Sequence, residues 1–154
     1  MWAIGLNDKE LTKILSYTHP KCINIYQLLA KDLSPLEQLS NTETIILKWS
    51  TKATSLWDFS KNTSLKDLHI EDFSKLQSIS EISQAKHLRN LILAGGVWKP
   101  LKIFSLSPLS ELVHLEYLKL ANIKVDDDSL RPLANLKNLN VLEITNQFET
   151  SEYA

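Results

Sequence analysis

A chain of 154 residues, 44% hydrophobic and 23% charged, is sized for one domain with an ordinary apolar core. Its formal net charge of −1 offers no basic excess for displacing phosphate counterions or for holding an anionic membrane surface, so neither nucleic acid nor membrane is expected as a partner. The lone cysteine, Cys22, excludes an intramolecular disulfide and a cysteine-based metal site. No apolar run approaches membrane-spanning length, and the first ten residues lack the charged and apolar regions of a secretory signal, so a soluble cytoplasmic protein is expected.

In chain order, residues 7–18 predict a helix. Asn7 supplies the cap and Glu10 completes a capping box, while Leu11, Ile14 and Leu15 share one face. Residues 22–26, CINIY, alternate like a strand, and Ile23 and Ile25 stand 22 residues before Ile45 and Leu47. Residues 1–32 are therefore expected to form an N-terminal cap and an irregular first repeat. From Leu33 the chain repeats itself. Five segments begin at Leu33, Leu56, Ile79, Leu106 and Leu130, at intervals of 23, 23, 27 and 24 residues. Three positions into each stands Leu36, Phe59, Ile82, Leu109 or Leu133. An L-x-x-L-x-L triplet follows as Leu65/Leu68/Ile70, Leu88/Leu91/Leu93, Leu115/Leu118/Leu120 and Leu139/Leu142/Ile144. The first copy carries Thr42 before Ile45 and Leu47, a polar residue expected where a terminal layer is less enclosed. Residues 148–154 form a tail, in which Phe148 and Tyr153 either fold back over the last layer or begin another return segment.

This pattern resembles the leucine-rich-repeat family in its short form of about 23 residues, over roughly Leu33 to Ile144, about three quarters of the chain. The resemblance implies an α/β right-handed solenoid, with a concave parallel sheet and short convex helices or 3₁₀ turns. The repeats are expected to span residues 33–147. Three residues past each triplet the family usually carries Asn or Cys; this chain carries Ser50, Phe73, Gly96, Ile123 and Gln147.

The spacing has a direct physical reading. The last two apolar residues of each triplet are two apart and share one face of a strand. One repeat cannot bury that face alone, so neighbours stack, placing Leu68 over Leu91 over Leu118 over Leu142. Pro35, Pro108 and Pro132 suit the first turn of the return segments, where no amide donor is needed. The longer third interval falls within Ala94 to Leu106. There Gly95 and Gly96 are expected to allow a sharp loop with positive φ, carrying Trp98 and Lys99 near its tip.

Little in the chain points to catalysis. It has no G-x-S-x-G, H-E-x-x-H or P-loop sequence. His87 and His114 occupy a slot that elsewhere holds Ser64, Asn41 or Asn138, which marks a polar turn position. Asp126 to Asp128 lack the ligand number and turn glycine of a calcium loop; Asp128 or Ser129 is expected instead to cap the segment near Leu130. No cofactor, metal or small-molecule substrate is expected. The informative residues are those interleaved with the core positions: Thr44, Ile46, Lys48 and Trp49; Asp67, His69, Glu71 and Asp72; Asn90, Ile92 and Ala94; Tyr117, Lys119 and Asn122; Val141, Glu143 and Thr145. Ile46 and Ile92 are expected outside the core, and apolar anchors among polar groups suit a protein interface. The chain thus reads as a non-catalytic module binding a protein or peptide on the concave face, with the Trp98–Lys99 loop as a second candidate surface. A structural or regulatory part of a larger assembly is the alternative, and an enzyme using His69 with Glu71 or Asp72 is the remaining one.

Overall fold

The computed structural model describes residues 1–145, 148 and 152. Seven parallel strands form one sheet: β1 (Trp2–Ile4), β2 (Cys22–Tyr26), β3 (Thr44–Ser50), β4 (Asp67–Phe73), β5 (Asn90–Ala94), β7 (Tyr117–Ala121) and β9 (Val141–Ile144). They are hydrogen-bonded in that order. A second sheet of two parallel strands, β6 (Leu101–Ile103) and β8 (Ile123–Val125), was not expected from the repeat pattern. It arises where the long interval supplies extra chain beside the end of β7.

The register stacks the triplets as one column. Ile23, Ile45, Leu68, Leu91, Leu118 and Leu142 are successive partners, and so are Ile25, Leu47, Ile70, Leu93, Leu120 and Ile144. Every member from Ile23 to Leu120 is buried, each side chain contributing about 1.5–3 kcal/mol of apolar transfer. In the last layer Ile144 is only partly buried and Leu142 is 45% exposed.

The return segments are all 3₁₀: Ser34–Gln38, Phe59–Lys61, Ser80–Gln84, Ser107–Glu111 and Arg131–Asn135. Pro35, Pro108 and Pro132 lie in their first turns, as their fixed φ and missing donor favour. Three-residue steps set the geometry: Leu112 N donates to the Leu109 carbonyl at 3.0 Å, and Leu115 N to that of Leu112 at 2.9 Å. The same ladder brings Thr42 N to the Leu39 carbonyl at 3.2 Å, so Thr42 occupies the slot of the triplet's first leucine. Contrary to expectation, that layer is closed. Thr42 is fully buried, and its hydroxyl donates to the Pro20 carbonyl at 2.6 Å, which offsets the cost of burying it.

At the N-terminal end, helix α1 (Asp8–Tyr17) takes the place of a 3₁₀ segment in the coil between β1 and β2. Asn7 accepts from Glu10 N at 3.1 Å, and Glu10 Oε2 accepts from Asn7 N at 3.0 Å, completing the box. Leu11 and Leu15 are fully buried beside the first 3₁₀ segment. At the other end, Phe148 joins the core and the Glu152 carboxylate accepts from Leu130 N at 2.6 Å. Gln147 and Tyr153 lie outside the described residues. The expected Asp128 cap is not made. Asp128 instead has φ 47°, and Ser129 Oγ accepts from Arg131 N at 3.3 Å.

A left-handed residue recurs just after the strand's last outward side chain. Gly5, Gln27, Trp49, Asp72 and Asn122 have φ of 73°, 56°, 56°, 56° and 48°. The turn breaks the two-residue alternation and swings the next side chain inward, so Leu28, Ser50, Phe73 and Ile123 are all buried. Three of the four described slots where the family usually carries Asn or Cys are thereby core positions, filled by Ser50, Phe73 and Ile123. Gly96 leaves this register. Neither Gly95 nor Gly96 has positive φ; Gly95 is needed for close approach instead. A Cβ on Gly95 would lie 2.2 Å from the Asn122 carbonyl oxygen.

Candidate functional site: the open face of the sheet

The side chains that alternate with the core columns stand in three rows across the strands. The first row runs Cys22, Thr44, Asp67, Asn90, Tyr117, Val141. The second runs Trp2, Asn24, Ile46, His69, Ile92, Lys119, Glu143. The third runs Ile4, Tyr26, Lys48, Glu71, Ala94, Ala121. Of the outward residues expected from the sequence, those at alternate strand positions from Thr44 to Glu143 stand in these rows. Trp49, Asp72 and Asn122 lie past the third row, displaced by their left-handed backbone, and Thr145 follows the end of β9.

Two hollows lie on this surface. The central one, about 390 Å³, is lined by Thr44, Ile46, Asp67, His69, Asn90, Ile92 and Tyr117 beside Leu68. Asp67 organises its first row: Oδ2 accepts from the Thr44 hydroxyl at 2.9 Å and Oδ1 from the Asn90 amide at 2.5 Å. Ile46 and Ile92 sit between these polar groups, half-buried. Farther along, Lys119 pairs with Glu143 at 2.8 Å, and Tyr117 hydrogen-bonds the same carboxylate. These contacts hold the Glu143 carboxyl below its ordinary range and the Lys119 ammonium above its own. Tyr117 is pushed up, first by desolvation and then by Glu143.

His69 is the half-buried group of this surface. Burial is the main cause that lowers its pKa, aided by the Lys48 charge and opposed by Glu71. The ring is therefore neutral at neutral pH, and Nε2 lies 3.0 Å from Glu71 Oε2 as donor. That same oxygen meets Lys48 Nζ at 2.9 Å. His69 thus pairs with Glu71, while Asp72 faces a different hollow. Among the described residues, Thr44 and Tyr117 supply the hydroxyls that line the His69 hollow, and that of Thr44 is committed to Asp67. Among the described residues no three His, Cys, Asp or Glu side chains are grouped to hold a metal. His87 and His114 are exposed, as a turn position requires.

The second hollow, about 490 Å³, opens at the rim where β3 and β4 end. Tyr26, Lys48, Trp49, Glu71, Asp72 and the Gly96–Lys99 loop line it. Sequence spacing assigned Trp49 to the sheet and Trp98 and Lys99 to a separate loop; the fold brings them to one groove. The loop is drawn in by backbone contacts. Gly95 N donates to the Ala121 carbonyl at 2.9 Å, and Asn122 Nδ2 to the Gly96 carbonyl at 2.7 Å. Tyr26 was missed as a surface residue because it lies in the irregular first repeat. Its ring centroid is 5.6 Å from that of Trp49, in a tilted pair. The signal was available, since CINIY places Tyr26 one step before the left-handed position, level with Lys48. Exposed Trp2 and Ile4 extend the apolar surface beyond it.

Among solved structures, the chain is similar to an internalin C2 from Listeria monocytogenes, with a TM-score of 0.61 and 22% identity over 90% of this chain. An internalin (inlF) from the same organism aligns over 91% of the chain at 22% identity, with a TM-score of 0.48. The chain spans 56% and 51% of the lengths of these two proteins. No protein-family model matches the sequence, and no curated protein matches it. The stacked parallel strands, the leucine columns and the likeness to internalin C2 agree on one fold, the leucine-rich-repeat solenoid. No helix among the described residues is long and apolar enough to cross a membrane.

Proposed function

We propose that this leucine-rich-repeat chain is a non-catalytic interaction module that holds a protein or peptide partner against the open face of its sheet. The central hollow carries the reading. Ile46, Ile92 and Tyr117 add nothing to the leucine columns, yet they form an apolar floor among side chains already fixed by hydrogen bonds. Fixed polar groups around an apolar centre lower the ordering cost of binding. Thr44, Lys48, Trp49, Asp67, His69, Glu71, Asn90, Lys119, Val141 and Glu143 supply the surrounding contacts, and Trp98 and Lys99 supply the rim. No cofactor, nucleic acid, membrane surface or small substrate is needed for this role. An exposed, unpaired Cys22 suits a reducing, cytoplasmic setting.

The test is affinity capture with three forms of the chain: wild type, Ile92→Asp, and Lys86→Ala on the return side. A partner held by wild type and by Lys86→Ala is expected to weaken at least about tenfold with Ile92→Asp, the scale of a central interface residue, at unchanged thermal unfolding. Equal capture by all three forms overturns the assignment.

A further inference from the structure

We propose that the rim groove of Tyr26, Trp49 and Trp98 is a seat for an arginine side chain of the protein partner, with the Asp72 carboxylate as its counter-charge. This rests on the interaction-module reading and specifies one contact within it. Two of the three aromatics, Tyr26 and Trp49, already form a tilted pair, while Trp98 is 93% exposed. Their uncovered faces carry the negative side of the ring quadrupole, which attracts a guanidinium.

The charges in the groove select the sign of the occupant. Glu71 is neutralised, because its Oε2 is shared by Lys48 at 2.9 Å and His69 at 3.0 Å. The Asp72 carboxylate accepts no hydrogen bond and makes no ion pair among the described residues, although it lines the same groove. Lys99 also lines the groove without an ion pair among the described residues, but it is exposed, so solvent screens its charge more than that of half-buried Asp72. A desolvating occupant therefore meets one unanswered carboxylate flanked by indoles, which favours a cation over an apolar side chain.

The backbone is arranged to place these groups. A Cβ on Gly96 would stand 2.4 Å from Asp72 Oδ1, so the absence of a side chain there lets the carboxylate lie against the loop in its present rotamer. Trp49 and Asp72 both hold φ of 56°, which displaces them past the third row to the groove. For an indole side chain this conformation costs about 1–2 kcal/mol relative to a right-handed one, a cost the core does not require Trp to bear.

The probe is N-acetyl-arginine amide, followed by the indole N–H resonances of Trp49 and Trp98, with N-acetyl-citrulline amide as the uncharged isostere. Trp49→Asn and Trp98→Ala assign the resonances; Asn is tolerated in the left-handed region. The expected result is a saturable millimolar response to the arginine probe that citrulline does not reproduce. Asp72→Asn keeps the backbone and should weaken it by about tenfold, and Lys99→Ala should tighten it slightly. Equal titration by citrulline, or a response untouched by Asp72→Asn, overturns the proposal. The two readings fail separately. Loss of partner capture with Ile92→Asp but not with Asp72→Asn rejects the arginine seat and keeps the module. Arginine binding with capture indifferent to Ile92→Asp does the reverse.

Discussion

Leu91 and Leu142 occupy the same place in the same motif, yet one is fully buried in the middle of the stack and the other is 45% exposed in its last layer. Both point inward from parallel strands in one register. The difference lies in what covers them. Leu91 has β4 on one side and β7 on the other, whereas β9 pairs only with β7 among the described strands. At the opposite end, α1 buries Leu11 and Leu15 completely against the first coil. The motif therefore specifies direction, and the neighbouring layers specify burial.

The largest test of this comparison is truncation at the two leucines. Leu91→Ala is expected to cost about 2–5 kcal/mol, because it removes apolar contacts and leaves a cavity between two layers. Leu142→Ala, on an open layer, is expected to cost less than about 1 kcal/mol. Urea midpoints measure both, and equal losses would break the layer argument. A smaller effect is expected at the left-handed column. Gln27→Gly, near the covered end, should raise stability by about 1 kcal/mol by relieving positive φ. Asn122→Gly should not gain this much, since Asn tolerates the conformation and its amide would release the Gly96 carbonyl.

The smallest effect separates mid-stack from last-layer electrostatics. Burial lowers the folded-state pKa of His69 below its ordinary value of 6.5. As pH falls through about 6.5 the unfolded chain takes up this proton first, so the stability that His69 contributes is present above that pH and is lost on acidification. Urea midpoints compared between about pH 7.5 and pH 5.5 should fall for wild type and fall less for His69→Gln. Glu143 behaves differently, because its lowered pKa comes from Lys119 and Tyr117 on an exposed strand. Its contribution is lost only as pH falls through the carboxylate range, and added salt should diminish it.

Much of this was legible in the chain. The L-x-x-L-x-L spacing was enough to predict parallel strands, the inward columns and the outward partners, because a strand's two-residue alternation is local geometry. The capping box at Asn7 was read correctly for the same reason, since both of its bonds join residues three apart. Thr42 was read as partly enclosed because polarity reports average exposure, not the single carbonyl of Pro20 that accepts its hydroxyl. Gly95 and Gly96 were assigned to positive φ, the commoner use of glycine, when their role is to admit the Asn122 carbonyl and the Asp72 carboxylate.

By itself, then, the sequence determined the repeat, its stacking column and the residues left outside that column, all of which follow from short-range periodicity. Only the tertiary structure decided which of those outward residues meet. Trp49 and Trp98 are far apart in the chain, and Tyr26 lies in a coil whose repeat character is faint. Their convergence depends on left-handed turns, a glycine-permitted loop approach and backbone bonds between separate coils, none of which leaves a periodic trace.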